Sequence, residues 1–177
     1  MRTSPPSSSS TDVREPSDSA ALAAEVLDRV GVRWALMGAL AASRYRRTPR
    51  LTTDADFLVE RADGVADAFQ AAGYEVRAAG ESAETPDMLL VRGKGDRIDL
   101  LFATVDYLRG ALDRSVDGVL AVEDVIVQKL IAWRPRDRDD VASILDAGHQ
   151  IDEDYISRWA EAWDVADHWA QARARRD

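Results

Sequence analysis

The sequence predicts an α+β (α/β) protein in which a small mixed sheet flanked by helices is followed by a helical subdomain. Short apolar runs typical of buried strands occur in the first 104 residues, and from residue 105 onward the apolar residues recur mostly at helical spacing. A length of 177 residues allows one domain with its own core. This order predicts a sheet core over 18–104 and a helical subdomain over 105–177 packed on it.

The first 17 residues are predicted to be a disordered tail. The run 4–10 contains only Ser and Pro, whose side chains cannot offset the entropy cost of becoming ordered. Asp18 or Ser19 is a suitable N-cap for a first helix, which Gly31 ends.

Glycines and alternating apolar residues divide the sheet core into five strands and two further helices. Gly38 separates the first strand from a short Ala-rich helix, and Gly73 closes an amphipathic helix. The turn 93–96 has the composition of a hairpin. The predicted strands are 32–37, 54–59, 74–78, 88–91 and 97–102, and the helices are 38–45 and 63–72. Beyond them we predict a helix over 105–112, an extended piece near Val119, and helices starting at Glu123, Pro135 and about Asp152.

Composition excludes several kinds of active site. The chain has no cysteine and two histidines, which excludes disulfides and cysteine nucleophiles and leaves little material for a zinc site.

Its 23 Lys and Arg against 32 Asp and Glu give a net charge of −9, which argues against nucleic-acid binding through the overall field but not through a local basic cleft. No apolar stretch approaches the roughly 20 residues of a membrane span, and no apolar signal region is visible, so we expect a cytoplasmic protein.

Three carboxylates lie in predicted strands. Asp54 and Asp56 alternate with apolar residues, so both leave the same face of a strand. Asp99 interrupts an apolar run, where a charge requires a partner. If the two strands are neighbours, the three carboxylates converge on a site suited to a hard divalent cation. Solvent exposure of the strand end, or pairing of Asp99 with an arginine such as Arg97 or Arg50, are the alternatives.

A glycine turn precedes a short basic segment. Gly38, at the junction of strand and helix, allows backbone N–H groups to approach a phosphate, although most such glycines only make the turn. Arg44, Arg46, Arg47 and Arg50 follow it, and guanidinium groups match phosphate oxygens. An exposed, solvated loop is the other interpretation.

A second group of charges lies in the helical region. If Pro135 opens a helix, Asp137 and Asp140 share its core-facing side with Val141. Lys129 lies beside an apolar stripe on the preceding helix. Its ammonium either reaches solvent or points into a cleft, toward a phosphate or an acid such as Asp137.

Several of these segments together resemble a known family. Gly38-Ala39, the run 52–57 with its Asp-x-Asp, and Ile98-Asp99-Leu100 resemble the polymerase-beta-like nucleotidyltransferase core, whose pattern is G-[GS], D-x-[DE] and a third strand carboxylate. More narrowly, 38–41, 49–56 and the later 123–140 resemble the AbiEii/MenT-like nucleotidyltransferases. The similarity covers about 30–147. Ala39 stands where the family has a second Gly or Ser, so it offers a backbone contact but no hydroxyl.

The resemblance implies an enzyme that uses Mg²⁺ or Mn²⁺ to move NMP from an NTP to a hydroxyl of RNA, including tRNA ends, or of protein. It implies that Asp54, Asp56 and Asp99 bind the metal, with Asp99 alternatively the general base, that Lys129 contacts the nucleotide and that Asp137 positions it. The implied nucleotide-binding residues are Gly38, Ala39, Arg47, Arg50, Thr52, Lys129 and Asp140. Similar proteins act as toxins, so an antitoxin protein is an implied partner.

Other functions remain open from the sequence. One is a non-catalytic nucleotide-binding or interaction module with the same fold. Another is a nucleotidyltransferase that modifies an antibiotic, and a third is a metal-dependent phosphoesterase that uses the same carboxylates with water as nucleophile.

Overall fold

The computed structural model describes residues 16–50, 52–80 and 85–175. Most of the predicted tail over 1–17 lies outside these ranges. The first helix, α1 (Pro16–Val30), begins before the predicted cap. Proline fits this first position because it lacks the N–H that would have no acceptor there.

The described residues form a five-stranded sheet and eight helices, which confirms the predicted α+β class. The further elements are β1 (Trp34–Leu36), α2 (Gly38–Tyr45), β2 (Ala55–Val59), α3 (Val65–Ala71), β3 (Glu75–Ala79), β4 (Met88–Gly93), β5 (Asp96–Phe102), α4 (Asp106–Asp113), α5 (Val122–Ala132), α6 (Pro135–Asp146), α7 (Glu153–Ala162) and α8 (Ala166–Arg173).

The sheet is mixed, with the strand order β1-β2-β5-β4-β3. β2 and β5 pair in parallel, whereas the other neighbours pair antiparallel. The parallel pair places two strands that are distant in sequence side by side at the centre of the sheet. Near Val119 the predicted extended piece forms single bridges, including one to Leu36.

The first strand is shorter than predicted at both ends, because it pairs with β2 only over Trp34–Leu36. Gly38 has φ 63° and opens α2, so the chain leaves the extended conformation directly after Met37, the N-cap. The final helical region is two helices, because the chain turns at Asp164 with φ 56° before α8 begins.

Each face of the sheet covers its own apolar core. On one face, α1 and α3 pack on alternate residues of the strands, including Phe57, Ile98 and Leu100. On the other face, Leu58 of β2 joins Ala41 and the apolar residues of the C-terminal helices in one cluster. Since residues before and after position 104 share that cluster, one continuous core connects the sheet with the helices that follow it. The predicted boundary at 104 remains a prediction.

A buried polar network connects three C-terminal elements. Asp124 of α5 is fully buried, accepts a hydrogen bond from the Tyr155 hydroxyl at 2.6 Å, and pairs with Arg114 at 3.2 Å. Glu123 accepts a hydrogen bond from the backbone N–H of Asp152. These contacts fix α5 against α7. Within the ranges the structure describes, no helix is long and apolar enough to cross a membrane.

Replacing Leu58 by Ala should destabilise the protein by about 2–5 kcal/mol, because the fully buried side chain leaves a cavity between the sheet and the C-terminal helices. Chemical denaturation measures this change. Val116→Ala is the control, since Val116 is 57% exposed and its truncation should change stability by less than about 0.5 kcal/mol. Equal losses in the two variants would contradict the shared core.

Candidate functional site

A polar cleft of about 350 Å³ opens on the face of the sheet that the C-terminal helices cover. Carboxylates from the two central strands lie on one side of it, and cationic side chains from the basic segment, α5 and the start of α6 lie on the other. The lining residues are Gly38, Ala39, Arg50, Thr52, Thr53, Asp54, Asp56, Asp99, Lys129, Arg134 and Arg136.

The parallel pairing of β2 and β5 brings the predicted carboxylates together. Asp56 lies directly opposite Asp99 in the register, and both alternate with residues that are buried on the other face. Asp54 precedes β2 in a turn where its backbone N–H contacts the Thr52 hydroxyl at 3.5 Å. Asp54, Asp56 and Asp99 therefore line one cleft, and their role as metal ligands remains a prediction.

The two outer carboxylates are held by arginines of the hairpin β4–β5. Arg97 Nε lies 2.9 Å from Asp54 Oδ1, and Arg92 Nη2 lies 2.7 Å from Asp99 Oδ1. The second contact is an ion pair without hydrogen-bond alignment, so its attraction is mainly coulombic. Of the two arginines suggested from the sequence as partners of Asp99, Arg97 pairs with Asp54 and Arg50 with Asp140.

Asp56 is the carboxylate between these two pairs. Burial raises the pKa of the Asp56 carboxyl, and the negative charges of Asp99 and Asp54 raise it further. The charge of Lys129 and a hydrogen bond from the backbone N–H of Ala39 act in the opposite direction. Ala39 thus directs its N–H at the central carboxylate, and the cleft holds a concentration of negative charge that favours binding of a cation or a proton.

Gly38 allows the first turn of α2 to approach this carboxylate. A Cβ atom at Gly38 would overlap Asp56 Oδ2 and lie 2.7 Å from its Cγ. The backbone N–H of Met37 also donates to the carbonyl oxygen of Asp56 at 2.9 Å. Gly38 therefore makes room for the side chain of Asp56, and its predicted approach to a phosphate remains a prediction.

The cationic side of the cleft is built on two buried acids. Lys129 Nζ lies 3.1 Å from Asp137 Oδ1 and 2.8 Å from Asp140 Oδ2, and all three side chains are almost fully buried. Arg134 contacts Asp137 at 2.6 Å. Arg50 contacts Asp140 at 3.0 Å.

A third arginine completes this network. Arg46 also pairs with Asp140, so four cations surround two carboxylates. Arg50, Lys129 and Arg134 line the cleft, whereas Asp137 and Asp140 lie behind them. The network therefore presents a net positive charge to the cleft.

Partner cations lower the pKa of both buried acids. Burial alone would raise the pKa of Asp137, but the hydrogen bond from Arg134 and the charge of Lys129 outweigh it. Burial would likewise raise the pKa of Asp140, and hydrogen bonds from Arg50 and Lys129 reverse the direction. Both carboxylates remain ionised at neutral pH and hold the cations in place.

The oxygen donors of the cleft suit one hard divalent cation, since carboxylates are the ligands that Mg²⁺ and Mn²⁺ prefer. The Asp56 carboxylate is crowded by the negative charges of Asp99 and Asp54, and Asp54 is joined to Arg97 by a pair whose side chains are 36% and 59% exposed. Among the described residues, no three His, Cys, Asp or Glu side chains are grouped closely enough to hold a metal ion. A cation here would therefore rest on Asp54 and Asp56 and on oxygens of the substrate.

Not every residue implied by the resemblance lies in the cleft. Gly38, Ala39, Arg50, Thr52, Asp54, Asp56, Asp99 and Lys129 line it. Arg47 is exposed and outside the lining, and Asp137 and Asp140 support it from behind. The sequence analysis did not identify Arg92, because no pattern in its own strand indicates that it contacts Asp99.

No protein-family model and no curated protein matches the chain. Among solved structures, an antigenic nucleotidyltransferase-like protein from Paracoccidioides brasiliensis is similar with a TM-score of 0.45 and 16% identity, over 75% of this chain and 74% of that one. A cytoplasmic RNA terminal U-transferase is similar with a TM-score of 0.37 and 16% identity, over 72% of this chain and 41% of that one. At these values the likenesses do not assign an activity to this chain.

Gly38→Ala should destabilise the protein by more than Gly31→Ala. Both glycines have positive φ, which costs an L-residue about 1–2 kcal/mol, but a Cβ at Gly31 meets nothing within 4 Å. The added methyl group at Gly38 also displaces Asp56. Thermal and chemical denaturation of both variants measures the difference, and equal destabilisation would show that Asp56 does not pack against the turn.

Asp140→Asn should destabilise the protein by about 3–5 kcal/mol at pH 7, because the buried cations lose their counter-charge. Since the pKa of Asp140 is lowered by folding, its contribution is present above the unfolded pKa of about 3.9 and is lost as the pH falls through the lower folded value. The stability difference between wild type and variant should therefore narrow in acid. Denaturation curves at several pH values measure this difference, and Asp139→Asn, an exposed position on the same helix, is the control. A stability difference between wild type and Asp140→Asn that stays constant with pH would contradict the lowered pKa of Asp140.

Proposed function

We propose that this protein is a metal-dependent nucleotidyltransferase, which transfers NMP from an NTP to a hydroxyl group and releases pyrophosphate. The observation that carries the proposal is the division of one cleft into a carboxylate side and a cationic side. Such transfer needs positioning and charge stabilisation more than covalent catalysis, so a chain without cysteine can perform it.

The carboxylate side holds the reacting end of the nucleotide. Asp54 and Asp56 would hold Mg²⁺ or Mn²⁺, which when bound neutralises charge on the phosphate oxygens. The turn at Gly38 and the N–H of Ala39 fix the position of the Asp56 carboxylate. The raised pKa of Asp56 is consistent with a group whose charged form requires a cation partner.

The cationic side holds the triphosphate. Arg50, Lys129 and Arg134 line the cleft and are oriented by ion pairs with Asp137 and Asp140, which are positioning residues. Because these cations outnumber their carboxylate partners, they retain positive charge for the β- and γ-phosphates and for the departing pyrophosphate. The acceptor oxygen forms a bond to the α-phosphorus as the bond to the pyrophosphate oxygen breaks, and the hydroxyl proton leaves to a base or to solvent.

We propose RNA, including a tRNA end, as the acceptor. The support is the resemblance in sequence together with a local concentration of arginines at the cleft in a chain of net charge −9. A protein hydroxyl, and a small antibiotic, are the alternatives that the assay separates. By the same resemblance the activity would serve as the toxin of a pair with an antitoxin protein, in which case expression arrests growth and Asp56→Asn relieves the arrest.

Purified protein incubated with each α-labelled NTP, Mg²⁺, total RNA and cell lysate should move label to RNA, and Asp56→Asn should reduce transfer by at least about 100-fold, as loss of a principal transition-state contact does. The same variant should not be less stable than wild type at pH 7. It removes a crowded negative charge but keeps a side-chain oxygen that accepts the hydrogen bond from the backbone N–H of Ala39. Thermal melting in the presence of a chelator tests this second expectation.

Asp63→Asn, at a position outside the cleft lining, is the matched control and should transfer label at the wild-type rate. Label on protein, or on an added aminoglycoside, would name a different acceptor. Release of free NMP would indicate a phosphoesterase, and NTP binding without any turnover would indicate a binding module. Transfer that persists in Asp56→Asn would overturn the assignment of the site.

A further inference from the structure

The two arginines on the carboxylate side are held very differently. Arg97 meets Asp54 through Nε in a pair whose side chains are 59% and 36% exposed. Such exposed pairs contribute little to stability and give way easily to a competing cation. Arg97 therefore presents little obstacle to a metal ion at Asp54 and Asp56.

Three contacts hold the guanidinium of Arg92 in place. Its Nη1 donates to the backbone carbonyl oxygens of Ile98 at 2.8 Å and Val91 at 2.9 Å, and its Nη2 lies 2.7 Å from Asp99 Oδ1. In the pairing of β4 with β5, Leu90 faces Asp99 and Arg92 faces Arg97, so the guanidinium reaches Asp99 from the diagonal position on the same face. The Oδ1 atom it contacts is enclosed by protein.

Displacing Arg92 would be costly. A metal ion bound through this oxygen of Asp99 would face a guanidinium at ion-pair distance, and withdrawal of the guanidinium would remove the donor from two backbone carbonyls. Two-metal sites place their ions about 3.5–4 Å apart, and a second ion on the other oxygen of Asp99 would still lie a few ångströms from the Arg92 guanidinium.

We infer that Arg92 supplies at Asp99 the positive charge that a second metal ion would otherwise bring, so that the cleft takes a single divalent cation, at Asp54 and Asp56. The inference rests on the proposed function, and it differs from the sequence resemblance, which implies that all three carboxylates bind metal. Asp99 paired with Arg92 then acts as a fixed dipole beside the reacting phosphate. Arg92 becomes a residue that determines how many metal ions the site accepts.

The experiment counts Mn²⁺ ions by electron paramagnetic resonance on the full chain with an NTP analogue whose α–β bridge cannot be cleaved. Wild type should bind one Mn²⁺ per chain and give the six-line spectrum of an isolated ion. Arg92→Gln should bind a second Mn²⁺, with the broadening expected for two neighbouring ions. Arg92→Lys, which keeps the charge, should remain at one.

Arg77→Gln, an exposed position on β3, controls for removing an arginine from the same sheet and should also bind one ion. Thermal melting establishes that each variant is folded, and the wild-type count keeps the test decisive if Arg92→Gln does not fold. Two ions in wild type with label transfer intact would overturn the inference and leave the proposed function standing. No chain-dependent Mn²⁺ in wild type would overturn both, and one ion in wild type and in Arg92→Gln alike would show that Arg92 does not set the number.

Discussion

The parallel pairing of β2 with β5 is the constraint on which the cleft depends. It places Asp56 opposite Asp99, with Asp54 directly before the same strand, and so concentrates negative charge on one face of the sheet. Burial raises the pKa of Asp56, and repulsion by the negative charges of Asp99 and Asp54 raises it further. The surrounding structure compensates for that repulsion, through arginines from the β4–β5 hairpin and through the Ala39 N–H at the start of α2.

On the opposite side of the cleft, positive charges are brought together and negative charges compensate for their repulsion. Three arginines and Lys129 converge there, and buried carboxylates of α6 hold them together. A buried ion pair is favourable only when its members have several partners, and Asp137 and Asp140 each have at least two. The result is a rigid cationic surface, whose side chains need little reordering when an anion binds.

The separation of the cleft into a carboxylate side and a cationic side explains how an acidic protein can present a basic surface at the cleft. The net charge of −9 belongs to the whole chain, whereas the field at the cleft is set by groups within a few ångströms. The shared core of sheet and C-terminal helices fixes the two sides relative to each other, since Leu58 of the carboxylate strand packs among the residues that support α5. Stability of that core and geometry of the cleft are therefore linked.

The sequence by itself determined the fold class and the order of the elements, because these follow from local periodicity and turns. Strand alternation and the turn also indicated Asp54, Asp56, Asp99 and Gly38, whereas the resemblance to a known family supplied the other predicted cleft residues. It could not determine which cation meets which carboxylate. Arg92 reaches Asp99, while Arg50 turns to Asp140 and Arg47 remains outside the cleft. Only the tertiary structure decided these pairs, because an ion pair depends on strand register and helix packing between distant residues, and no local pattern in the chain records those distances.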